Sequence, residues 1–133
     1  MRIGLDTSVL LRLLIGQPEV LAASALAALR ELRHRGTMIA VSDLVLAETY
    51  FALQHHYSIP KGAALGRLRQ FVESPEIKSS SEALEVLATR RLGSAKPGFV
   101  DRLIHAEYSR SCDGMITFER SAGRLSGTTV LGA

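Results

Sequence analysis

Residues 2–15 read Arg2-Ile3-Gly4-Leu5-Asp6-Thr7-Ser8-Val9-Leu10-Leu11-Arg12-Leu13-Leu14-Ile15. The apolar run at residues 2–5 stops at Asp6-Thr7-Ser8, and residues 9–15 then take the leucine-rich pattern of a helix. A strand, a tight turn and a helix in that order begin an α/β fold.

The same alternation continues outward. Gly16-Gln17-Pro18 breaks the first helix, and residues 19–35 carry helical spacing at Leu21, Ala25, Leu29 and Leu32, closed by Gly36. Residues 38–41 form a second apolar run. Ser42-Asp43 then caps a third helix, predicted to reach about Tyr57. Pro60 opens a helix that ends near Pro75, and residues 76–79 read as a weak strand. A helix over residues 81–92, a loop at 93–98 and a helix over 99–111 follow. Strands at 115–118 and 128–131 complete the pattern. Short apolar strands between helices predict a three-layer α/β/α architecture around a parallel sheet of four to five strands.

Length and composition set the frame. A chain of 133 residues suits one domain, 1–133, because two separate cores would each be marginal. The apolar fraction of 47% and the charged fraction of 22% are those of a globular protein, with no segment that must be disordered. The longest uncharged stretch, residues 20–29, is half Ala and too short for a bilayer, which needs roughly 20 apolar residues. Asp6 and Arg12 fall inside the first 15 residues, a layout unlike a secretory signal, so a cytoplasmic location is expected. Cys112 is the one cysteine, which rules out an internal disulfide; it reads as a small buried hydrophobe. The net charge of +3 leaves a more basic surface than it suggests if several acids are committed to one site, which favours a polyanionic partner.

In open α/β sheets, ligands bind beyond the carboxyl ends of the strands. Asp6 follows the first strand, Glu119 follows the strand at 115–118, and Asp101 lies in the first turn of its helix. Glu48 has Leu44, Val45, Phe51 and Ala52 one turn away on either side, so its carboxylate is expected to emerge from an apolar helical face. Singly, each acid has a plainer reading. Asp6 suits a helix cap, Asp101 complements a helix dipole and Glu119 is a loop charge. Together they point elsewhere. Carboxylates about 4 Å apart repel by about 4 kcal/mol per pair at an effective dielectric near 20, against a whole domain stability of about 5 to 15 kcal/mol. A cation among them is required. With no His-x-x-x-His and no Cys pair, all-oxygen ligands favour Mg²⁺ or Mn²⁺, a site suited to phosphodiester hydrolysis.

In these pieces the chain resembles the PIN-domain family, in particular the VapC-type toxins of bacterial and archaeal toxin–antitoxin pairs. The matching residues are Ile3-Gly4-Leu5-Asp6-Thr7-Ser8, Leu46-Ala47-Glu48, Phe99-Val100-Asp101 with Leu103-Ile104-His105-Ala106, and Ile116-Thr117-Phe118-Glu119-Arg120, in family order over essentially the whole chain. The resemblance implies that Asp6, Glu48 and Asp101 are metal ligands or hold metal-bound water, with Thr7, Ser8 and Thr117 supporting them by their hydroxyls. Glu119 stands where family members usually have Asp, one methylene longer, and would reach a metal through water. Asp113 precedes its strand and falls at the opposite edge. The resemblance further implies a metal-dependent endoribonuclease acting on RNA, a homodimer, and a small antitoxin covering the site.

Arg12, Lys96, Arg102, Arg120 and Arg124 are candidate phosphate contacts near that edge. Arg30, Arg33, His34 and Arg35 suit a helix C-terminus, and His55, His56 and His105 read as structural. Two rival readings share the strand-Asp opening or the fold. A phosphatase of the haloacid dehalogenase type would need a second Asp where Ser8 stands, and a nucleotide-binding module would need a glycine loop that is absent. A PIN scaffold that binds RNA or a protein without cutting is the remaining alternative.

Overall fold

A computed structural model describes residues 1–132. The element order is β1 (Arg2–Gly4), α1 (Thr7–Ile15), α2 (Glu19–His34), β2 (Met38–Ala40), α3 (Asp43–His55), α4 (Lys61–Val72), β3 (Ile77–Lys78), α5 (Ser81–Leu87), α6 (Phe99–Ser111), β4 (Met115–Thr117) and β5 (Thr128–Val130), with 3₁₀ turns at Leu92–Ser94 and Arg120–Arg124. This is the expected α/β class of helices and parallel strands. The five strands make two ladders, β1-β2-β3 and β4-β5, and every pairing is parallel. The chain divides into two compact units, Met1–Ser80 and the part from Ser81 onward.

In the first unit, local chemistry sets each boundary. Gly16 ends α1 at φ 78°, a left-handed conformation that costs glycine little, and its N–H donates to the Arg12 carbonyl at 2.9 Å. At the end of α2, Gly36 N–H donates to Arg33 O at 3.0 Å and Thr37 N–H to Leu32 O at 2.9 Å, the paired bonds of a Schellman motif. The Ser42 hydroxyl caps α3 by accepting from Val45 N–H at 3.2 Å. Helix α1 packs on α2 and α3, and α3 on α4. The largest fully buried apolar side chains of this unit are Leu10, Ile39, Leu46, Leu53 and Leu68, each contributing about 1.5–3 kcal/mol relative to exposure. The basic end of α2 is used partly in ion pairs, Arg33 with Glu76 and Arg35 with Glu31.

The register Gly4↔Ala40↔Lys78 sets these three residues side by side across β1, β2 and β3, and Ile3↔Ile39↔Ile77 forms the neighbouring row. Because side chains alternate along a strand, the two rows face opposite sides. Ile39 and Ile77 are buried, whereas Gly4 and Lys78 are exposed.

In the second unit α5 packs on α6, and Ala83, Leu87, Leu92, Phe99, Leu103 and Ala122 are buried. Here the prediction of one helix over residues 81–92 is corrected. The helix ends at Leu87, Thr89 N–H bonds the Val86 carbonyl in a tightened last turn, and Arg91 takes the left-handed φ of 55°. Helix α6 has the predicted bounds. Cys112 is also corrected. It is exposed, because α6 stops at Ser111 and Cys112 continues in extended conformation away from the helix. Gly114 and Gly127 face each other at the start of the β4-β5 ladder, so close that a Cβ on Gly114 would stand 2.7 Å from the Gly127 carbonyl oxygen. Among the described residues no single helix is long and apolar enough to cross a membrane.

Candidate functional site

The first unit carries two of the four acids. Asp6 is the N-cap residue of α1 with extended φ −80° and ψ 161°, and its carbonyl accepts from Val9 and Leu10 N–H, both at 3.1 Å. Its carboxylate makes no cap bond to the helix backbone. Instead Asp6 Oδ2 accepts from the Ser8 hydroxyl at 2.9 Å. That hydroxyl is the main cause holding the Asp6 carboxyl below the ordinary carboxylate range, with the nearby Thr7 and Ser8 N–H dipoles adding to it against slight desolvation.

Glu48 reaches the same turn from 41 residues away. Its Oε1 accepts from the Thr7 hydroxyl at 2.9 Å. The packing of α1 on α3 makes this contact possible: Thr7 is the first residue of α1, and Glu48 lies in the second turn of α3. Glu48 has the apolar neighbours expected of it, but its side of the helix is largely exposed. Helix α3 buries Leu46, Thr49, Tyr50, Ala52 and Leu53, while Leu44 is 72% exposed, Phe51 is 47% exposed and Glu48 itself is exposed. The helix is apolar almost all round, and the face that packs is the other one. Phe51 and His55 extend the exposed stripe beyond Glu48, their rings stacked with centroids 6.2 Å apart.

The other two acids lie in the second unit. Asp101 is exposed in the first turn of α6, where the helix dipole favours its charge, and it makes no hydrogen bond or ion pair among the described residues. Glu119 caps the 3₁₀ turn Arg120–Arg124. Its Oε1 accepts from the Ser121 hydroxyl at 2.8 Å and from Ser121 N–H at 3.2 Å. The Ser121 hydroxyl leads, with its N–H and the positive charge of Lys96 helping, in holding the Glu119 carboxyl below its ordinary range despite slight desolvation. The Thr117 hydroxyl accepts from Glu119 N–H at 3.0 Å, so it shapes the backbone that carries the acid. The sequence marks Ser121 only by its place two residues after an acid at a strand end.

All the candidate ligand atoms are carboxylate and hydroxyl oxygens, the chemistry that suits a hard divalent cation. Among the described residues, however, no three or more His, Cys, Asp or Glu side chains gather into a group able to hold a metal ion. The structure joins Glu48 to the Asp6 turn in the first unit; in the second, Glu119 is held by Ser121, and Asp101 stands without a hydrogen bond or ion pair among the described residues.

Most basic residues singled out in the sequence are already engaged. Arg12 Nη1 donates to the Tyr57 hydroxyl at 3.1 Å, Arg102 Nε to the Pro97 carbonyl at 2.7 Å, and Arg124 Nη1 to the Lys96 carbonyl at 3.3 Å. His105 has the structural role expected of it, its Nε2–H donating to the Ser126 carbonyl at 2.7 Å.

A model of the PIN domain family matches residues 3–122, 120 of the 133 positions. No curated protein and no solved structure matches the chain.

Proposed function

The chain belongs to the PIN domain family, whose members are generally nucleases, and from that premise we propose that it is a metal-dependent endoribonuclease. The candidate ligands for Mg²⁺ or Mn²⁺ are Asp6 and Glu48 of the first unit and, by the motifs that resemble the family's, Asp101 and Glu119 of the second. The observation that carries this reading is the Thr7 to Glu48 hydrogen bond, which brings an acid 41 residues distant to the turn bearing Asp6. A helix cap alone gives no reason for that second carboxylate.

The bound ion would supply an activated water and neutralise charge developing on the phosphate. The protein's own part is positioning. Thr7 fixes the Glu48 carboxylate, Ser8 keeps Asp6 ionised and oriented, and Asp101 is left accessible at a positive helix end. The ordered motifs shared with VapC-type toxins support a further reading: the toxin of a toxin–antitoxin pair, a cytoplasmic homodimer silenced by a small antitoxin.

One observation favours the rival reading of a scaffold that binds without cutting. The Glu119 carboxylate is already occupied as the cap of a 3₁₀ turn. Incubating the purified protein with a mixed RNA pool in Mn²⁺, then adding a chelator, separates the two. The nuclease reading expects cleavage that the chelator stops and that Asp6→Asn or Asp101→Asn abolishes. Folded variants with undiminished cleavage overturn the assignment, and RNA bound but uncut in Mn²⁺ establishes the scaffold.

A further inference from the structure

A cavity of about 460 Å³ opens at the carboxyl ends of β1, β2 and β3, lined among others by Arg2, Gly4, Ala40, Ser42, Lys78 and Ser79. We propose that it is a binding pocket for a backbone phosphate of the RNA chain, next to the phosphate that is cut. The inference rests on the ribonuclease reading above, and it adds a subsite formed by residues outside the acidic set.

Three independent features agree. First, Lys78 and Arg2 lie on the same face of the sheet. Lys78 shares a row with Gly4 and Ala40, and Arg2 is two residues before Gly4, which returns its side chain to that face. Second, both cations are exposed, and neither side chain makes a hydrogen bond or ion pair among the described residues. The basic residues that the sequence suggested for phosphate contact are mostly engaged elsewhere, whereas these two are available.

Third, the residues between the cations are small. A Cβ on Gly4 would meet nothing within 4 Å, and Ala40 adds only a methyl, so a phosphate can approach the backbone where a larger side chain would stop it. Of the acids close in sequence to the lining residues, Asp43 accepts from the Ser80 hydroxyl at 2.7 Å and Glu76 is paired with Arg33. The position also fits the chemistry. The cavity reaches Leu5, and the next residue is Asp6, so the pocket adjoins the carboxylate turn along the same strand end.

The test is binding of a short fluorescent single-stranded RNA, read by anisotropy in Mg²⁺, on an Asp101→Asn background that binds without cutting. Arg2→Ala with Lys78→Ala is expected to weaken binding about tenfold and to lower the slope of log affinity against log salt by roughly one for each lost contact. Replacing single RNA phosphates by neutral methylphosphonates should show one position where the background protein loses affinity and the Lys78→Ala protein loses no more. If the double variant fails to fold, Lys78→Gln alone carries the test, since its side chain is exposed. Unchanged affinity and slope in every variant, or methylphosphonate losses spread evenly, overturn the pocket and leave the nuclease reading standing. Absence of RNA binding by all forms overturns both.

Discussion

The hydroxyl of Thr7 donates to Oε1 of Glu48 at 2.9 Å, joining the first turn of α1 to the second turn of α3. The bond is exposed, so it contributes under about 1 kcal/mol to folding. Its consequence lies in where it holds a carboxylate. Thr7→Val keeps the shape and removes the donor. Melting should change little while cleavage falls about tenfold, the lower end of what outer partners of metal ligands contribute. Thr7→Ser should restore the rate. Equal cleavage by Thr7→Val and the parent would remove Thr7 from the site.

Glu119 is held by Ser121 through two hydrogen bonds to one oxygen. Shortening the side chain in Glu119→Asp draws the carboxylate back toward the strand end and away from the capping arrangement. The expected result is half-maximal cleavage at a lower Mn²⁺ concentration, with stability within about 0.5 kcal/mol of the parent, as for most surface substitutions. A metal titration of the cleavage rate decides it, and an unchanged midpoint would assign Glu119 to the cap alone.

Much of this was legible in the residues themselves. Gly36 and Ser42 announce their helix ends because a left-handed C′ position and a side-chain cap each demand particular residue types, and both are found in those roles. Strand and helix alternate as the apolar runs predict. What periodicity could not decide was the orientation of α3. Leu44, Val45, Leu46, Ala47, Phe51, Ala52 and Leu53 surround the helix, so no apolar stripe distinguishes the face of Glu48 from the face that packs. The end of α5 at Leu87 was hidden for a related reason: Arg91 adopts a positive φ that its residue type does not advertise. Arg2 and Lys78 look like ordinary strand flanks until the register of three strands sets Gly4, Ala40 and Lys78 in one row, a long-range fact absent from any single segment.

The Asp6 carboxyl is held below its ordinary range chiefly by the Ser8 hydroxyl. A folded-state pKa below the unfolded one stabilises the fold at pH values above the unfolded pKa, and this contribution is lost as pH falls through the folded pKa. Ser8→Ala should therefore move the Asp6 pKa up toward the ordinary carboxylate value. The stabilisation from this group then fades at a higher pH than in the parent. An NMR titration of the Asp6 side-chain carbonyl reads the shift directly. A pKa that stays put in Ser8→Ala would transfer the effect to the neighbouring N–H dipoles.

Glycine substitutions should change sign with position. At Gly114 a new Cβ would stand 2.7 Å from the Gly127 carbonyl oxygen, a backbone atom that also accepts from Met115 N–H at 3.0 Å at the start of the β4-β5 ladder. Gly114→Ala must part the two strands where they first pair, at a cost of about 1–3 kcal/mol for an overpacked site. At roughly 4 °C per kcal/mol for a chain of this size, melting should fall by about 4–12 °C. Gly66 gives the opposite expectation. It lies inside α4, with nothing within 4 Å of an added Cβ, so Gly66→Ala should stabilise by about 0.5–1 kcal/mol through lost unfolded-state freedom. Thermal melts of the two variants measured together check both the close approach and the helix. A neutral Gly114→Ala would mean that the β4-β5 ladder does not pair as closely as the Gly127 carbonyl requires.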